Sequence, residues 1–592
     1  MSETEEAITL TNHAMLVAWG QYAHCIGLIA GLEAISMSQK TVVHSPQRKV
    51  IEFLVANLGG LTYLKDISRS AHPLDQDQAV AMAWGQTGWA DYSGVSRTLH
   101  DLSEAEVQQI IAVLQQVSQP MIDREVFLAC SAGRLELDGD LSPRPVSDTS
   151  TTYPGAEYGH MNDRIGLGFQ AALVSIKSPT YGRLGLSVAL HPGSTVSSTQ
   201  AANLAEAAEK RIGRYPLRRT DLLQIRLAAT QKQQDHYQQK VNQAQQAWER
   251  ANAKVICVQQ EVAEAQSRFD QLQADYTQRQ RLERPNSHLA KAREKLAVYQ
   301  RRVSRRQAAV TKAEAHLIRQ ADHQKACQIT LATLERRLER FQADNANNSA
   351  PIQAVFRLDA GFGTSENVAL LIEMGYEVYS KPFGSWLSRW LREHRRQRSD
   401  WLRVGSNAEM MAWKGVSLED FPYPLDIAQE RFWTGPDDVR LSGLLHFGSD
   451  HVTADLPGWF HYYNSRQTIE AANKEGKQVF EVHHLKVRQS FALALQEQFA
   501  LFSANFVRFA SVWLAEQCPQ VPDGWKESTH PCVKEQVKVG AHTSAWVSWK
   551  DQDCLLRFED RSVFAGRSLH IKRQWSFQPV LPFAKSYFFS AI

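Results

Sequence analysis

At 592 residues the chain is long enough for several domains, each with a core of its own. A formal net charge of +3 is nearly neutral, so binding to a polyanion would rest on local patches such as SRWLREHRRQR (Ser388 to Arg398) and RRVSRR (Arg301 to Arg306). The seven cysteines, at positions 25, 130, 257, 327, 518, 532 and 554, are odd in number and scattered, so no disulfide framework suggests itself and a reducing cytosol is the expectation. The start MSETEEAITL lacks a basic region followed by an apolar core, and no apolar run is long enough to cross a bilayer; the expectation is a soluble intracellular protein with no membrane partner.

Residues 1–125 read as a helical N-terminal domain, with VIEFLVANLGG and EAEVQQIIAVLQQV as amphipathic runs and Ser103 as the cap of the second. Small helical domains of this kind can seat a helix in a DNA groove, although most do something else. From RLELDGDLSPRPV the period changes to two, with Leu135, Leu137 and Leu141 alternating with Glu136, Asp138 and Asp140. Two more strand-like runs follow, GFQAALVSI and RLGLSVALHPG, and then the helical TQAANLAEAAEKRI. The order resumes at IQAVFRLDAGFGTSENVALLIEMG, a strand ending in Asp359 and turning into a helix, followed by the short strand YEVYSKP. This is an α/β order whose antiparallel hairpins and helix crossovers predict a mixed sheet.

A long insertion splits that order. Apolar residues from Val241 to Tyr276, and again from Leu289 to Phe341, follow the 3,4 spacing of a coiled-coil seam, interrupted at Arg284-Pro285-Asn286. Two arms of similar length around a proline predict an antiparallel hairpin over residues 217–349, each arm on the order of 80 Å long. Its dimensions suit contact with a partner subunit or a long ligand.

Further on, YNSRQTIEAANKEGK places Tyr463, Arg466, Glu470 and Lys477 at angles of about 0°, 300°, 340° and 320° on a helical wheel, so the four share one face. Ile469, Ala472, Val479 and Phe480 project to the other side, giving a buried back and a polar front. Taken alone, this is a solvated face with an Arg466/Glu470 pair. Asp138 and Asp140 near the end of the first strand, Asp359 at the end of a later strand and Glu470 on the helix after it provide an acidic set for that face to meet. Carboxylates gathered at one sheet edge are stable only around a hard divalent cation. Two Mg²⁺ ions about 4 Å apart would activate an attacking oxygen and stabilise the leaving oxygen of a phosphodiester. His530-Pro531-Cys532 and His483-His484 have no second pair at zinc-ligand spacing and read as structural or surface residues.

The run Tyr463-x2-Arg466-x3-Glu470-x6-Lys477 resembles the Y-R-E-K signature of DDE transposases of bacterial insertion sequences, in all four residue types and all three spacings. LDAGFG with Asp359 resembles the second-aspartate motif of that family, and LELDGDLS its first-aspartate strand, with serine at Ser142 where threonine is frequent. Asp140 is preferred as the first ligand and Asp138 is its rival. The resemblance implies a ribonuclease-H-like core formed by residues 126–216, 350–383 and 461–517, with a further insertion at 384–460 and a C-terminal tail at 518–592. It does not account for the coiled-coil hairpin.

It further implies a DNA transposase in which Asp140, Asp359 and Glu470 hold two Mg²⁺ ions, with Mn²⁺ as a substitute. Water would cut the phosphodiester at an element end, and the freed 3′-hydroxyl would attack target DNA. Tyr463, Arg466 and Lys477 would contact element-end DNA. Double-stranded DNA is the implied partner, a homodimer the implied assembly, and the bacterial cytoplasm, in association with the nucleoid, the implied location. Two other readings stay open: a ribonuclease-H-fold nuclease that cuts without joining, and an inactive coiled-coil interaction protein.

Overall fold

The computed structural model describes residues 8–40, 43–395, 400–435, 438–517, 533–550, 552–559 and 568–572. Cys518, Cys532, the His530-Pro531-Cys532 run and residues 396–398 of the basic run lie outside the described residues. The chain divides into two compact units, one formed by residues 1–217 and 348–592 and the other by Arg218–Asn347.

The first unit opens with strand β1 (Ile8–Thr11) and helices α1 (Ala14–Cys25), α2 (Leu28–Glu33), α3 (Pro46–Leu58), α4 (Asp66–Arg69), α5 (Gln78–Ala83), α6 (Tyr92–His100) and α7 (Glu104–Ser131). Ser103 and Glu106 form a reciprocal capping box at the start of α7, satisfying two backbone donors that a helix end leaves free. α7 runs on beyond residue 125 and packs on the sheet, so the helical segment and the sheet are one compact unit.

The sheet is mixed. Strands β2 (Leu135–Pro145), β3 (Glu157–Met161), β4 (Arg164–Ser178) and β5 (Gly182–Pro192) pair antiparallel. After helix α8 (Ala201–Ile212), and beyond the second unit, β6 (Ala354–Leu358) lies parallel to β2. Helix α11 (Ser365–Glu373) then crosses to β7 (Glu377–Ser380), parallel to β6. The helices between, α9 (Thr220–Gln278) and α10 (His288–Asn347), form the second unit.

Residues 384–460, read from sequence as an insertion, hold helix α12 (Ser388–Arg395) and strands β8 (Leu402–Gly405), β9 (Ala408–Val416), β10 (Leu425–Trp433) and β11 (Val439–Phe447). These strands extend the same sheet, because β11 pairs with β7. Met410, Ala428 and Leu444 from them share one apolar cluster with Val355 of β6 and Tyr379 of β7. Segments at the two ends of the chain also meet: β1 pairs with β12 (Ala545–Lys550) in a four-stranded sheet completed by β13 (Asp553–Phe558) and β14 (Ser568–Ile571).

Three more helices cover the core: α13 (Leu456–Asn464), α14 (Gln467–Gln478) and α15 (Ser490–Gln517). Gly139 shows how the two faces of β2 differ. A Cβ there would stand 3.0 Å from Leu204 of α8 and 2.9 Å from Leu358, whereas the neighbouring Asp138 and Asp140 point to the opposite face, toward α13 and α14.

The second unit is a helical hairpin. α9 and α10 pack antiparallel, with Ala244, Val255, Leu289, Leu296, Val310, Cys327, Leu334 and Phe341 buried. Stacked rings of Tyr237 and His323 fix the register of the arms, and Arg293 sits over Phe269 nearer the tip. Just outside it, in the first unit, Asn348 donates to the Tyr215 carbonyl at 2.9 Å, so the chain leaves that unit and re-enters it at adjoining points. No helix among the described residues is long and apolar enough to cross a membrane.

Candidate functional site

The acidic residues are delivered by three elements. Asp140 stands on β2, Asp359 directly follows β6, and Glu470 lies in the first turn of α14. β2 and β6 are adjacent and parallel, with Gly139 opposite Leu358, so Asp359 leaves the end of β6 beside Asp140, which stands mid-way along β2 where its pairing with β6 stops. The turn after Asp359 is held close to the sheet: a Cβ on Gly363 would collide with the Lys381 carbonyl oxygen, and Thr364 caps α11.

α14 reaches this edge through its apolar back. Ile469 is fully buried against Ala171, Leu173 and Val188 of β4 and β5, and Glu475 makes a two-pronged ion pair with Arg508 of α15, both contacts at 2.8 Å. Arg466 links the set. Its Nη2 lies 3.3 Å from Asp359 Oδ1 and 3.9 Å from Glu470 Oε1, so one guanidinium nitrogen bridges the second aspartate and the glutamate. The Asp359 and Glu470 side chains are each about half exposed, while Arg466 is buried.

Asp140 completes the cluster electrostatically. Burial raises its carboxyl to about 6; Arg466 opposes the shift, while Asp359 and Glu470 add to it. Its Oδ1 accepts from the Leu141 amide at 2.9 Å, and Oδ2 accepts from the Asn473 amide. Lys477, half-buried, is lowered by burial and by Arg144, with Asp140 and Glu497 acting the other way. Asp140 is thus the group these charges have in common, with Arg466, Asp359 and Glu470 acting on it and Asp140 in turn acting on Lys477.

Two expectations need correction. The Y-R-E-K residues do not lie along one helix, because α13 ends at Asn464 and α14 begins at Gln467, with Ser465 and Arg466 forming the joint. Tyr463 consequently points into the core and not along the polar front. It is 3% exposed, and its hydroxyl donates to the Leu358 carbonyl at 3.1 Å, one residue before Asp359. Arg466 also differs from the solvated-face expectation, because neighbouring elements cover it.

The structure separates the rival aspartates. Asp138 is fully buried; its Oδ1 accepts from Arg357 Nε at 2.7 Å, and its Oδ2 from Arg357 Nη2 at 2.8 Å and Arg183 Nη2 at 2.6 Å. Both Asp138 oxygens are committed to guanidinium groups, whereas those of Asp140 accept from the neutral amides of Leu141 and Asn473. Arg357 continues to Ser465 Oγ at 2.7 Å and the Tyr462 carbonyl at 3.1 Å, and Arg183 reaches Thr468 Oγ1. The network thereby ties both strands to the joint from which Glu470 projects.

Asn473, Arg357 and Arg183 were not anticipated. Asn473 had a signal, since it follows Glu470 by three residues on the same helical face. The arginines had only a weak one, as charged residues inside strand patterns.

In kind, three carboxylates offer the hard oxygen donors that Mg²⁺ or Mn²⁺ takes. In spacing the set is open: the ligand atoms of Asp140, Asp359 and Glu470 do not all lie within 4.8 Å of one another, and Arg466 is set between two of them. Among the described residues, Glu481, His483 and His484 are the group whose ligand atoms all lie within 4.8 Å of one another. Glu481 is already paired with Lys538 at 2.7 Å, and the ammonium of Lys486 also acts on it, so that cluster is poorly suited to a further cation. No known family model matches the chain, and no curated protein matches it in sequence.

Proposed function

We propose that the protein is a metal-dependent DNA transposase of the DDE type with a ribonuclease-H-like core, in which Asp140, Asp359 and Glu470 hold the metal ions. The observation that carries this reading is the delivery of three carboxylates to one region, where β6 ends beside the middle of β2, with Arg466 within 3.9 Å of Asp359 and Glu470 and acting electrostatically on Asp140. A bound pair of Mg²⁺ ions would supply Lewis-acid stabilisation of the attacking and leaving oxygens of a phosphodiester.

The chain's own residues do the rest. Asn473 orients Asp140 by its hydrogen bond, and the Tyr463 hydroxyl holds the strand end that presents Asp359. The Asp138, Arg357 and Arg183 network fixes the joint before Glu470. Arg466 balances negative charge between Asp359 and Glu470, and Lys477 supplies a cation beside Asp140 suited to a phosphate. Duplex DNA fits as the substrate because this acidic edge carries basic groups for the backbone.

The test is incubation of the purified protein with duplex DNA carrying its own flanking sequence and Mg²⁺. Metal-dependent nicking followed by joining of the 3′-end is the expected result. Nicking without joining would favour the nuclease reading, and the absence of both in the presence of Mg²⁺ and Mn²⁺ would end the assignment.

A further inference from the structure

The helical hairpin carries a charge pattern that the acidic site does not use. In its middle portion, residues 238–260 of α9 lie beside residues 301–319 of α10, as the Tyr237 and His323 stack and the Arg293 and Phe269 contact require. These two segments contain nine Lys and Arg against two Asp and Glu, a net +7 within a chain whose total is +3. The excess lies mainly on α10. Arg301, Arg302, Arg305, Arg306, Lys312 and Arg319 are all exposed. They project within a sector of about 140°, and Val310, buried, lies outside that sector on the side facing α9.

These charges are not neutralised within the hairpin. Elsewhere in it arginines find acids, as in the pairs of Arg279 with Asp275 at 2.8 Å and Arg293 with Glu283 at 2.6 Å. Among the described residues, Arg301, Arg302, Arg305 and Arg306 have no carboxylate partner; Arg301 donates to the Ala297 carbonyl of its own helix, and Arg302 lies over the Tyr299 ring. A row of like charges on one helix face disfavours the helix, so it is costly unless a polyanion meets it.

We infer that this face of α10 is a binding surface for the phosphate backbone of a nucleic-acid duplex. Its straight run of about 27 Å from Arg301 to Arg319 suits a rigid, densely charged rod. Arginine forks match phosphate oxygens in pairs. An anionic membrane fits less well, since the outward positions between Arg301 and Lys312 hold Ser304, Gln307, Ala308, Ala309 and Thr311, with no large apolar side chain to enter a bilayer. Contacts to phosphate of this kind position a duplex without reading its sequence.

The test uses the full chain with Arg301, Arg302, Arg305 and Arg306 all changed to Gln. Binding is measured to a DNA duplex and an RNA duplex of about 40 bp of arbitrary sequence and to phosphatidylserine vesicles, over a salt series. Duplex affinity is expected to fall on the order of 10- to 100-fold near 0.1 M salt, with the salt slope flattening by about two to four. Loss on both duplexes assigns the surface to the shared backbone, and loss on one names that duplex. A Lys232→Gln, Lys325→Gln control, exposed elsewhere on the hairpin, should bind nearly as wild type. Unchanged duplex binding by an arginine variant with wild-type thermal unfolding would overturn the inference, as would an equal loss in the control or a loss confined to vesicles. If the arginine variant unfolds early, the same comparison is made with the Arg305→Gln, Arg306→Gln pair. Mg²⁺-dependent cleavage of a short duplex is followed separately, so failure of this surface and failure of the acidic site are distinguishable.

Discussion

The Tyr463 hydroxyl and the Leu358 carbonyl, 3.1 Å apart, join the end of α13 to the last residue of β6, immediately before Asp359. Tyr463 thus acts on the candidate site through the backbone of a strand. Tyr463→Phe leaves a buried carbonyl without its donor and should cost about 1 kcal/mol in denaturant unfolding. Cleavage should fall with it, while the salt dependence of DNA binding stays unchanged. A flattened salt slope would instead place the hydroxyl on phosphate.

Asp138 and Asp140, two residues apart on one face of β2, should respond oppositely to the same substitution. Asp138→Asn strips charge from a buried carboxylate shared by two guanidinium groups and should destabilise the fold by about 3–5 kcal/mol. Asp140→Asn removes a carboxylate that burial and two acidic neighbours already disfavour, so it should leave the unfolding midpoint equal or higher. Urea unfolding of the two variants measures the difference, and Mg²⁺ titration calorimetry should show cation binding lost in Asp140→Asn.

Glu470→Gln should abolish detectable cleavage while DNA binding survives, because shape is kept and the charge is lost. Asn473→Ala should be milder, raising the Mg²⁺ concentration for half-maximal cleavage about 10-fold through loss of the hydrogen bond that orients Asp140. Wild-type cleavage by Glu470→Gln would make α14 an ordinary solvated helix.

Away from the site, Glu52 of α3 is fully buried and accepts from the Ala90 amide at 2.9 Å. Burial is the main cause raising its carboxyl from 4.5 to about 9. The folded state therefore holds a proton that the unfolded chain releases, and the resulting stability is full below pH 4.5 and declines as pH rises toward 9. Glu52→Gln keeps the acceptor and removes this dependence. Its melting temperature should exceed that of the wild type by a margin that grows from pH 5 to pH 8.

Much of this arrangement was legible in the sequence. Period-two alternation marked β2, the apolar 3,4 spacing marked α9 and α10, and Ser103 announced the start of α7 as a cap. The break at Ser465 and Arg466 was not legible, since neither residue is a helix breaker and local propensity continues through both. It follows from tertiary demands: Tyr463 is drawn into the core, while Glu470 is kept at the edge. The strands of residues 384–460 were hidden for a different reason. Their place in the main sheet depends on β11 pairing with β7, which no local pattern encodes.

The root of the hairpin bears on how the chain finds its fold. Asp138 and Arg357 sit 219 positions apart in sequence, and β2 can pair with β6 only after that span closes. Arg218 donates to Asn345 at 2.7 Å across 127 of those positions, so a hairpin that zips up locally, on a microsecond timescale, leaves an effective span of about 90 residues. Closing the shorter span costs about 0.8 kcal/mol less in chain entropy. A structureless linker of equal length in place of α9 and α10 should therefore slow the pairing of β2 with β6 about fourfold.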